Sequence, residues 1–564
     1  MYRYDHHDRA SIRDHSARFL DQTRRHIEGA LTVDEFRPLR LQNGLYIGRQ
    51  GPMLRIAVPY GQISSRQLRA LAAVAREHAR GIGHFTTRHN FQINGLEMSR
   101  VPEILAGLAE ADLHSIHTSG AVIRNIVTDP FAGISADETA DPRPWAELLR
   151  QWSLRHPEFT HLPRKFKIAV SGAAEDRAAI RVHDLGLQLV RNADGDPGFR
   201  VFAGGGLGRE PMLAEAIRDF LPWPHLLTYT EALLRIFDRH GRRDKPHKAR
   251  LKILVKTLGV REFTRRVEAA WRGVMDGPET LTDAGLARVS AHFAPPAYEN
   301  LPADDLCYLA NLREDAAFAR WVGRNVRAHR APGYAAVTLS LKKPGSAPGD
   351  ATAEQLEAVA DLAGRYGFGE ARVSAEQNLI LPDVPKRELY TVWHRAKAAG
   401  LAAPVTGLIA DVTACPGGDF CELANSRTLP VVEAIRARFE DLDYQHDIGE
   451  LDLNISGCMN GCAHHSLGHI GILGVEKHGE TWYQVSLGGG RGDDMAIGEV
   501  IGPAFSADGI ADVVERIVDV YLDHRIGNER FIDTLHRIGP APFRDAAYRI
   551  FNNRSYRHAS QHVR

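Results

Sequence analysis

The stretch 67-QLRALA-72 returns as 355-QLEAVA-360, an offset of 288 residues. At the same offset, 86-TTRHNFQI-93 returns as 374-SAEQNLIL-381. Each copy reads as a strand, a helix with apolar residues at helical spacing, and a second strand. Because the offset is far longer than the repeat of any solenoid, the pattern indicates a duplicated domain pair and not a repeat array.

A second pair of segments matches at nearly the same spacing. The dipeptide 171-SG-172 corresponds to 456-SG-457, and the glycine run 204-GGGLG-208 corresponds to 488-GGGRG-492. After the predicted strand KFKIAVSG the first copy continues with AAEDRAA, whereas after LDLNISG the second continues with CMNGCAH. Lys165 and Lys167 point to one face of their predicted strand, and their counterparts are Glu450 and Asp452. One copy is therefore predicted to carry cations and the other thiols.

The composition narrows the class of protein. Lys plus Arg equals Asp plus Glu at 70 each, so no overall basicity indicates a nucleic-acid or membrane-surface partner. The first 20 residues are rich in charge, which argues against a signal peptide, and no run approaches the roughly 18 apolar residues of a membrane span. We expect a cytoplasmic protein. Neither glycine run fits the dinucleotide pattern G-x-G-x-x-G.

Four of the five cysteines fall within one short window. They form the pairs Cys415-x5-Cys421 and Cys458-x3-Cys462, on segments rich in glycine. Four thiolates grouped in this way suit a soft metal centre, either an iron–sulfur cluster or a structural zinc ion. Zinc fits less well because zinc ligand pairs are usually separated by two to four residues. Cys307 stands apart, and its apolar neighbours predict a buried, inert thiol.

The two cysteine segments, 414-ACPGGDFC-421 and 457-GCMNGCAHHSLGHIGILG-474, resemble the nitrite and sulfite reductase haemoprotein family. The resemblance covers nearly the whole chain, including its two-copy plan. It implies that the four cysteines hold a 4Fe–4S cluster and that Cys462 also bridges to the iron of a sirohaem. It further implies that electrons come from a partner, either a ferredoxin or an NADPH-dependent flavoprotein.

Basic residues inside apolar stretches are the candidates for binding a small oxyanion. Arg55 and Lys167 each interrupt an apolar strand pattern, and a buried charge is costly unless an anion neutralises it. At an effective dielectric near 20, each cation about 4 Å away attracts an anion by roughly 4 kcal/mol before desolvation. The resemblance implies that the substrate cations are Arg55, Arg124, Lys165 and Lys167. The further candidates for binding the cofactors are Arg88, Gln92, Arg164, Arg209, Asn460 and Arg491.

The resemblance implies an α+β fold with two ferredoxin-like halves paired by pseudo-twofold symmetry, plus two related α/β domains that bind sirohaem and cluster. The boundaries predicted are 1–150 for an N-terminal segment with the first ferredoxin-like half, 151–325 for the first α/β domain, 326–405 for the second half, and 406–564 for the α/β domain with the cysteines.

The expected reaction is the six-electron reduction of sulfite to sulfide in sulfate assimilation, which supplies cysteine biosynthesis. Reduction of nitrite to ammonium at the same centre is the alternative, because the same cations suit both anions. Some relatives carry a cysteine two residues before the Arg124 position that can crosslink to a tyrosine; Val122 stands there in this chain, so no crosslink is expected. A metal-stabilised binding module without catalysis is the remaining hypothesis.

Overall fold

The computed structural model describes residues 1–549, except for the side chain of Arg155. Two compact units divide the chain. The first comprises Met1–Gly206, Pro211–Leu341 and Gly349–Pro404, and the second comprises Leu207–Glu210, Lys342–Pro348 and the chain from Val405 onward. Residues 550–564 of the last predicted domain lie outside the described part, and the domain boundaries remain predictions.

The first unit contains three five-stranded sheets. Its strands are β1 (Leu45–Gly48), β2 (Gly51–Ala57), β3 (Gln62–Ser64), β4 (Ile82–Phe85), β5 (Asn90–Ile93), β6 (Val127–Thr128), β7 (Ile168–Ser171), β8 (Leu185–Arg191), β9 (Pro197–Ala203), β10 (Glu215–Pro222), β11 (Val326–Ala328), β12 (Tyr334–Leu339), β13 (Asp350–Thr352), β14 (Glu370–Val373) and β15 (Leu379–Pro385). Its helices are α1 (His6–Ile27), α2 (Val33–Gln42), α3 (Ser65–His78), α4 (Val101–Glu110), α5 (Arg143–Arg155), α6 (Leu226–His240), α7 (Leu251–Leu258), α8 (Val260–Trp271), α9 (Asp283–Ser290), α10 (Leu306–Glu314), α11 (Ala316–Asn325), α12 (Ala353–Tyr366) and α13 (Leu389–Ala398).

The two ferredoxin-like halves exchange a strand. One antiparallel sheet has the order β1-β2-β5-β4-β13, and the other has the order β11-β12-β15-β14-β3. Strand β13 of the second half therefore completes the first sheet, and β3 of the first half completes the second. Asp350 on β13 lies opposite His84 on β4, with 2.8 Å between the carboxylate and Nδ1. The pairing is reciprocal, as a pseudo-twofold axis requires.

Both halves also share one hydrophobic core. Phe85 and Leu68 of the first half and Leu356 and Leu379 of the second belong to the same buried cluster. Helices α3 and α12 begin with the same capping box: Ser64 pairs with Gln67 in one copy, and a threonine with a glutamine in the other. The repeated sequence 67–72 and 355–360 thus lies on equivalent helices.

The third sheet of the first unit has the order β10-β9-β8-β7-β6. Strands β6, β7 and β8 are parallel, and β9 and β10 continue the sheet in antiparallel fashion. Helix α5 connects β6 to β7, as a parallel pair needs a crossover. The loop 172–184 connects β7 to β8.

The second unit repeats this topology with the order β16-β17-β18-β19-β20. Its strands are β16 (Thr413–Ala414), β17 (Leu453–Ser456), β18 (Ile470–Lys477), β19 (Glu480–Leu487) and β20 (Glu499–Val500), and its helices are α14 (Leu429–Arg438), α15 (Leu442–Ile448), α16 (Ile510–His524), α17 (Phe531–Ile538) and α18 (Ala541–Tyr548). Again the first three strands are parallel. The predicted α+β fold with an internal duplication is confirmed.

Two details differ from the expectations. Lys165 and Lys167 lie just before β7 and not within it, although Phe166 between them forms a parallel bridge with Ile123. Cys307 is exposed, so the prediction of a buried thiol was wrong. It lies in α10, none of whose residues is buried, although Tyr308 and Leu312 of that helix pack partly buried against the shared core.

Candidate functional site

The four cysteines lie at the carboxyl edge of the parallel strands in the second unit. Cys415 directly follows β16, and Cys458 comes two residues after the end of β17. Because β16 and β17 are neighbouring parallel strands, their ends bring the two segments together. The loop 457–469, which connects β17 to β18, carries Cys458 and Cys462. Carboxyl ends of parallel strands are the usual place for a bound group in such sheets.

Glycines allow these segments to approach closely. Gly417 has φ +56°, and a Cβ there would lie 2.5 Å from the hydroxyl of Thr428. A Cβ on Gly457 would lie 2.8 Å from the carbonyl of Ser426, and the Gly457 N–H donates to the Cys415 Sγ at 3.2 Å. The Asn460 amide donates to the Cys458 Sγ at 3.4 Å. Donors of this kind are typical around sulfurs that bind metal.

The thiols depend on a metal for their ionisation. Burial, together with the neighbouring Cys462 and Cys458, raises the pKa of Cys415 to about 12. Burial also raises the pKa of Cys421, with Cys462 and Cys458 again adding to the effect. Cys462 and Cys458 therefore lie close enough to Cys415 and Cys421 to repel them as thiolates. A cationic centre among them removes both penalties.

The spacing of the sulfurs favours a cluster over a single zinc ion. Among the His, Cys, Asp and Glu side chains of residues 1–549, one group of three has its ligand atoms within 4.8 Å of one another: His156, Glu158 and Glu231. No three of the four cysteine sulfurs are that close to one another. Tetrahedral zinc with bonds of about 2.3 Å would hold its sulfurs about 3.8 Å apart. The two carboxylates of the His156 group are already paired with Arg235.

Other predicted cofactor residues lie around the loop 457–469. Asn460 and Cys462 are exposed, and Arg209 donates from Nε to the Met459 sulfur at 3.3 Å. The segment Leu207–Glu210 thus contacts the loop that carries two of the cysteines. Arg491 lies half-buried beside the second glycine run, which forms the bridge Gly490–Ala496 just as the first forms Gly206–Met212.

In the first unit, the predicted substrate cations meet around one loop. Arg55 on β2 lies opposite Gln92 on β5 and donates to the Gln92 side-chain oxygen at 2.9 Å. The carbonyl of Thr118 accepts from Arg55 at 3.3 Å and from Arg124 at 2.8 Å. Arg124 makes two further bonds to the Gly120 carbonyl. Neutral carbonyls orient these guanidiniums without cancelling their charge.

Arg88 is the most strongly perturbed arginine of this group. One of its terminal nitrogens, Nη2, donates to the Asn125 carbonyl at 2.6 Å, whereas Nη1 is buried without a hydrogen-bond partner among the described residues. Burial, together with the neighbouring Arg124, lowers its pKa to about 9. A half-buried guanidinium with one buried, unused donor nitrogen indicates a site for an anion.

The two lysines extend the group. Burial lowers the pKa of Lys167 far below its ordinary value, and Arg88, Lys165 and Arg250 act in the same direction. Lys165 is half-buried, whereas Arg164 beside it is exposed. A lysine whose charge is disfavoured in this way gains a proton when an anion binds and can return that proton afterwards.

Sequence reasoning missed three members of this site. Asp184 is fully buried and accepts two bonds from Arg250, at 3.1 and 2.8 Å, and one from the Lys167 backbone. Arg250 belongs to a basic run near residues 239–252, which was the only available signal. Tyr46 on β1 lies under Arg55, with 5.0 Å between the guanidinium carbon and the ring centroid. Nothing in the local sequence marks it.

Comparison with known proteins agrees with this arrangement. The family description "Nitrite and sulphite reductase 4Fe-4S domain" matches residues 119–274 and 407–553, and "Nitrite/Sulfite reductase ferredoxin-like half domain" matches residues 46–111 and 328–399. Each family description matches the chain twice, and along the chain a ferredoxin-like match is followed by a 4Fe-4S-domain match in both copies. Together the matches cover more than half of the chain.

Individual relatives carry both activities in their names. A sulfite reductase [ferredoxin] of Mycobacterium tuberculosis is 29% identical over 495 residues, which are 85% of this chain and 81% of that protein. An assimilatory ferredoxin-dependent nitrite reductase of Haloferax mediterranei is 27% identical over 86% of this chain and 82% of its own. The solved structure of the Mycobacterium tuberculosis NirA protein has a TM-score of 0.74 at 27% identity, covering 91% of this chain and 92% of that one.

None of the helices described in residues 1–549 has the length and apolar character to cross a membrane.

The cysteine ligand set, the duplicated fold and the family matches lead to one conclusion. The chain belongs to the nitrite and sulfite reductase family, a family of oxidoreductases whose cofactors are a 4Fe–4S cluster and sirohaem.

Proposed function

We propose that this enzyme reduces sulfite to sulfide with six electrons, in sulfate assimilation. The observation that carries the proposal is the group of half-buried cations in the first unit, in which Arg88 and Lys167 have lowered pKa values and Asp184 supplies the main opposing charge. A doubly charged oxyanion would neutralise more of this excess than a singly charged one. Sulfite is such a dianion, whereas nitrite carries one charge.

We assign the roles of the cations from their chemistry. Arg55 and Arg124 are held by neutral carbonyl and amide oxygens, so they suit clamping of the anion. Lys165 and Lys167 suit proton delivery because a lysine pKa shifts readily with its surroundings. Each oxygen that leaves as water takes up two protons, so a site without proton donors would stall after the first electrons arrive.

The cofactor ligands follow from the same reasoning. Cys415, Cys421, Cys458 and Cys462 would hold the 4Fe–4S cluster, and Cys462, the exposed member of the set, would also ligate the sirohaem iron. The candidates for binding the sirohaem carboxylates and edges are Arg88, Gln92, Arg164, Arg209, Asn460 and Arg491. The two cofactors supply the electron chemistry, while the protein provides orientation, charge and protons.

Ferredoxin is the electron donor that we propose. The relatives from Mycobacterium tuberculosis and Haloferax mediterranei are both named for it. An NADPH-dependent flavoprotein is the alternative donor. An activity assay distinguishes the two donors: reduced ferredoxin should support turnover directly, whereas the alternative requires NADPH and a flavoprotein.

Nitrite reduction to ammonium is the second candidate, favoured by the names of several relatives. The deciding experiment compares kcat/KM for sulfite and nitrite in purified holoenzyme with reduced ferredoxin, measuring sulfide and ammonium as products. A higher kcat/KM for sulfite is expected. A tenfold preference for nitrite would reverse the assignment, and a protein without iron or acid-labile sulfide after anaerobic reconstitution would leave only a binding module.

A further inference from the structure

The loops after β7 and β17 end in the same kind of turn. Each turn is a short 3₁₀ helix, Ile180–Val182 in the first copy and His465–Leu467 in the second. The residue before each helix has a left-handed backbone: Ala179 with φ +49° and His464 with φ +56°. Because neither residue is glycine, both conformations are strained and need contacts that hold them. The two copies supply these contacts from different places.

In the first copy, side chains of the loop itself hold the turn. Asp176 accepts the Ile180 N–H on its two carboxylate oxygens, at 3.0 and 2.9 Å, and also accepts from the Ala178 N–H. The ring Nδ1 of His183 lies 2.9 Å from the carbonyl oxygen of Ala179. The strand in front of the loop contributes neither of these side chains.

Strand pairing shows which residues of the two copies are equivalent. Ala169 on β7 lies opposite Gly186, and Asn454 on β17 lies opposite Gly471. Equivalent residues are therefore 285 positions apart in the chain. The strand position that carries a methyl group in the first copy thus carries an amide in the copy with the thiols.

In the second copy, the strand holds the turn. The aspartate and the histidine of the first loop are replaced by glycines, Gly461 and Gly468. The side-chain amide of Asn454 donates instead to the carbonyl oxygen of His464 at 3.0 Å. The carbonyl of the strained residue therefore has a donor in both copies, but in the second copy the donor belongs to β17.

Ser456 holds the neighbouring residue of the same turn. Its hydroxyl oxygen accepts from the Ala463 N–H at 3.2 Å, whereas the corresponding hydroxyl of Ser171 is buried without a hydrogen-bond partner among the described residues. Asn454 and Ser456 are two positions apart on β17, so their side chains leave the strand on the same face, and both are buried. Two bonds from one strand therefore fix the two residues that directly follow Cys462.

The thiols explain why the second loop cannot hold its turn as the first loop does. A carboxylate at position 461 would stand directly before Cys462 and three residues after Cys458. Its negative charge would oppose ionisation of both thiols, which burial already disfavours in Cys415. Neutral donors and acceptors on the strand hold the turn without adding that charge.

We propose that Asn454 and Ser456 are positioning residues for Cys462. They anchor the turn after this cysteine to β17 and thereby keep its thiolate directed for binding both cofactors. The inference rests on the proposed ligand role of Cys462 and adds the residues that fix its direction. Without the two bonds, the strained His464 can relax toward an ordinary backbone conformation, and the cysteine two residues before it moves with the turn.

The test compares Asn454→Leu and Ser456→Ala with the wild-type holoenzyme. Asn454→Leu keeps a branched side chain of similar size and removes the donor, and Ser456→Ala removes one oxygen atom. The matched control is Asn325→Ala in the first unit, because the Asn325 amide also donates to backbone carbonyls, those of Thr338 and Ala403. The control is expected to lower stability without affecting the cysteine loop.

The main readout needs no turnover. It is the anaerobic rate at which the ferrous-iron chelator bathophenanthroline disulfonate removes iron, measured below the melting temperature of every variant. We expect Asn454→Leu and Ser456→Ala to release iron about 10-fold faster than wild type, because support behind a metal ligand contributes to metal retention. Asn325→Ala should release iron at the wild-type rate. In turnover, kcat of the two strand variants should fall about 10-fold with KM unchanged, since the proposed substrate cations lie in the first unit.

The possible failures can be told apart. Wild-type release rates in both strand variants would overturn the positioning role, and so would equally fast release from Asn325→Ala, because a general loss of stability would then explain the effect. Wild-type protein without iron or acid-labile sulfide after reconstitution would overturn the proposed ligand set and this inference with it. If Asn454→Leu does not fold, Ser456→Ala with a wild-type circular dichroism spectrum decides by the same rates.

Discussion

At the scale of single residues, the cysteine group of the second unit and the cation group of the first unit both contain side chains whose charged form is disfavoured in the protein alone. Burial holds Cys415 and Cys421 as thiols, which favours binding of a metal. Burial also disfavours the charge of Lys167, which favours binding of an anion. The same cause, loss of water, thus prepares the thiols for a cation and the lysine for an anion.

Lys167→Ala is expected to lower kcat/KM for sulfite by about 10²-fold, because a cation and a proton donor are both lost. Sirohaem and iron content should stay at wild-type levels. Steady-state kinetics measures the effect, and Lys248→Ala, which removes an exposed positive charge of the same unit, is the control. Loss of all sirohaem from Lys167→Ala would instead make this lysine a structural residue.

Cys462→Ser is expected to abolish turnover and to disturb the absorbance of sirohaem and cluster together, because one thiolate is proposed to bind both. Cys307→Ser is the matched control, since it makes the same atomic change at an exposed thiol on α10. Absorbance and electron paramagnetic resonance spectra report on the two cofactors. A Cys462→Ser enzyme with unchanged spectra and activity would show that the bridge is elsewhere.

At the scale of elements, the two α/β sheets show how one topology carries two chemistries. In both copies a loop joins the second and third parallel strands: 172–184 after β7, and 457–469 after β17. The first loop ends at Asp184, which binds Arg250, and the second carries Cys458 and Cys462. The two sheets supply the same framework, and differences between their loops give one copy charged side chains and the other copy metal-binding thiols.

The capping boxes of α3 and α12 should contribute to stability. Thr352→Ala removes the oxygen that accepts from the Gln355 N–H at 3.2 Å, and we expect the free energy of unfolding to fall by about 1 kcal/mol. Thermal melting of the holoenzyme measures the change. Thr257→Ala, at an exposed position in the last turn of α7, removes the same atoms outside a cap and should leave the melting temperature unchanged, since the lost hydroxyl donates to the Ile253 carbonyl of its own helix. Equal losses for both variants would contradict the role of the cap.

At the scale of the whole molecule, the exchanged strands make the two ferredoxin-like halves depend on each other. Strand β13 pairs with β4, β3 pairs with β14, and residues from both halves form one core. A half on its own would expose a sheet edge and an apolar surface. The duplication is therefore not a pair of independent domains joined by a linker.

A fragment of residues 1–111, which contains the first ferredoxin-like half without the sheet β6–β10, is consequently expected not to fold on its own, because it lacks β13 and half of the shared core. Circular dichroism and thermal melting should show no cooperative transition. Co-expression with a fragment of residues 112–564 should restore a folded complex that purifies as one species. A cooperative transition in the isolated first fragment would show that the exchanged strand is dispensable.

The sequence by itself determined the duplication and the grouping of the four cysteines, because a repeat and a ligand spacing are local patterns that survive without coordinates; the α+β class was what the family resemblance implied. The sequence also identified Arg55 and Lys167 as candidates, since a charged residue within an apolar stretch can be recognised without a structure. Only the tertiary structure decided which strand completes which sheet, because hydrogen bonds between strands join residues far apart in the chain. The same holds for Asp184, Arg250 and Tyr46: their side chains are ordinary in sequence and acquire their chemistry from charges that folding brings within a few ångströms.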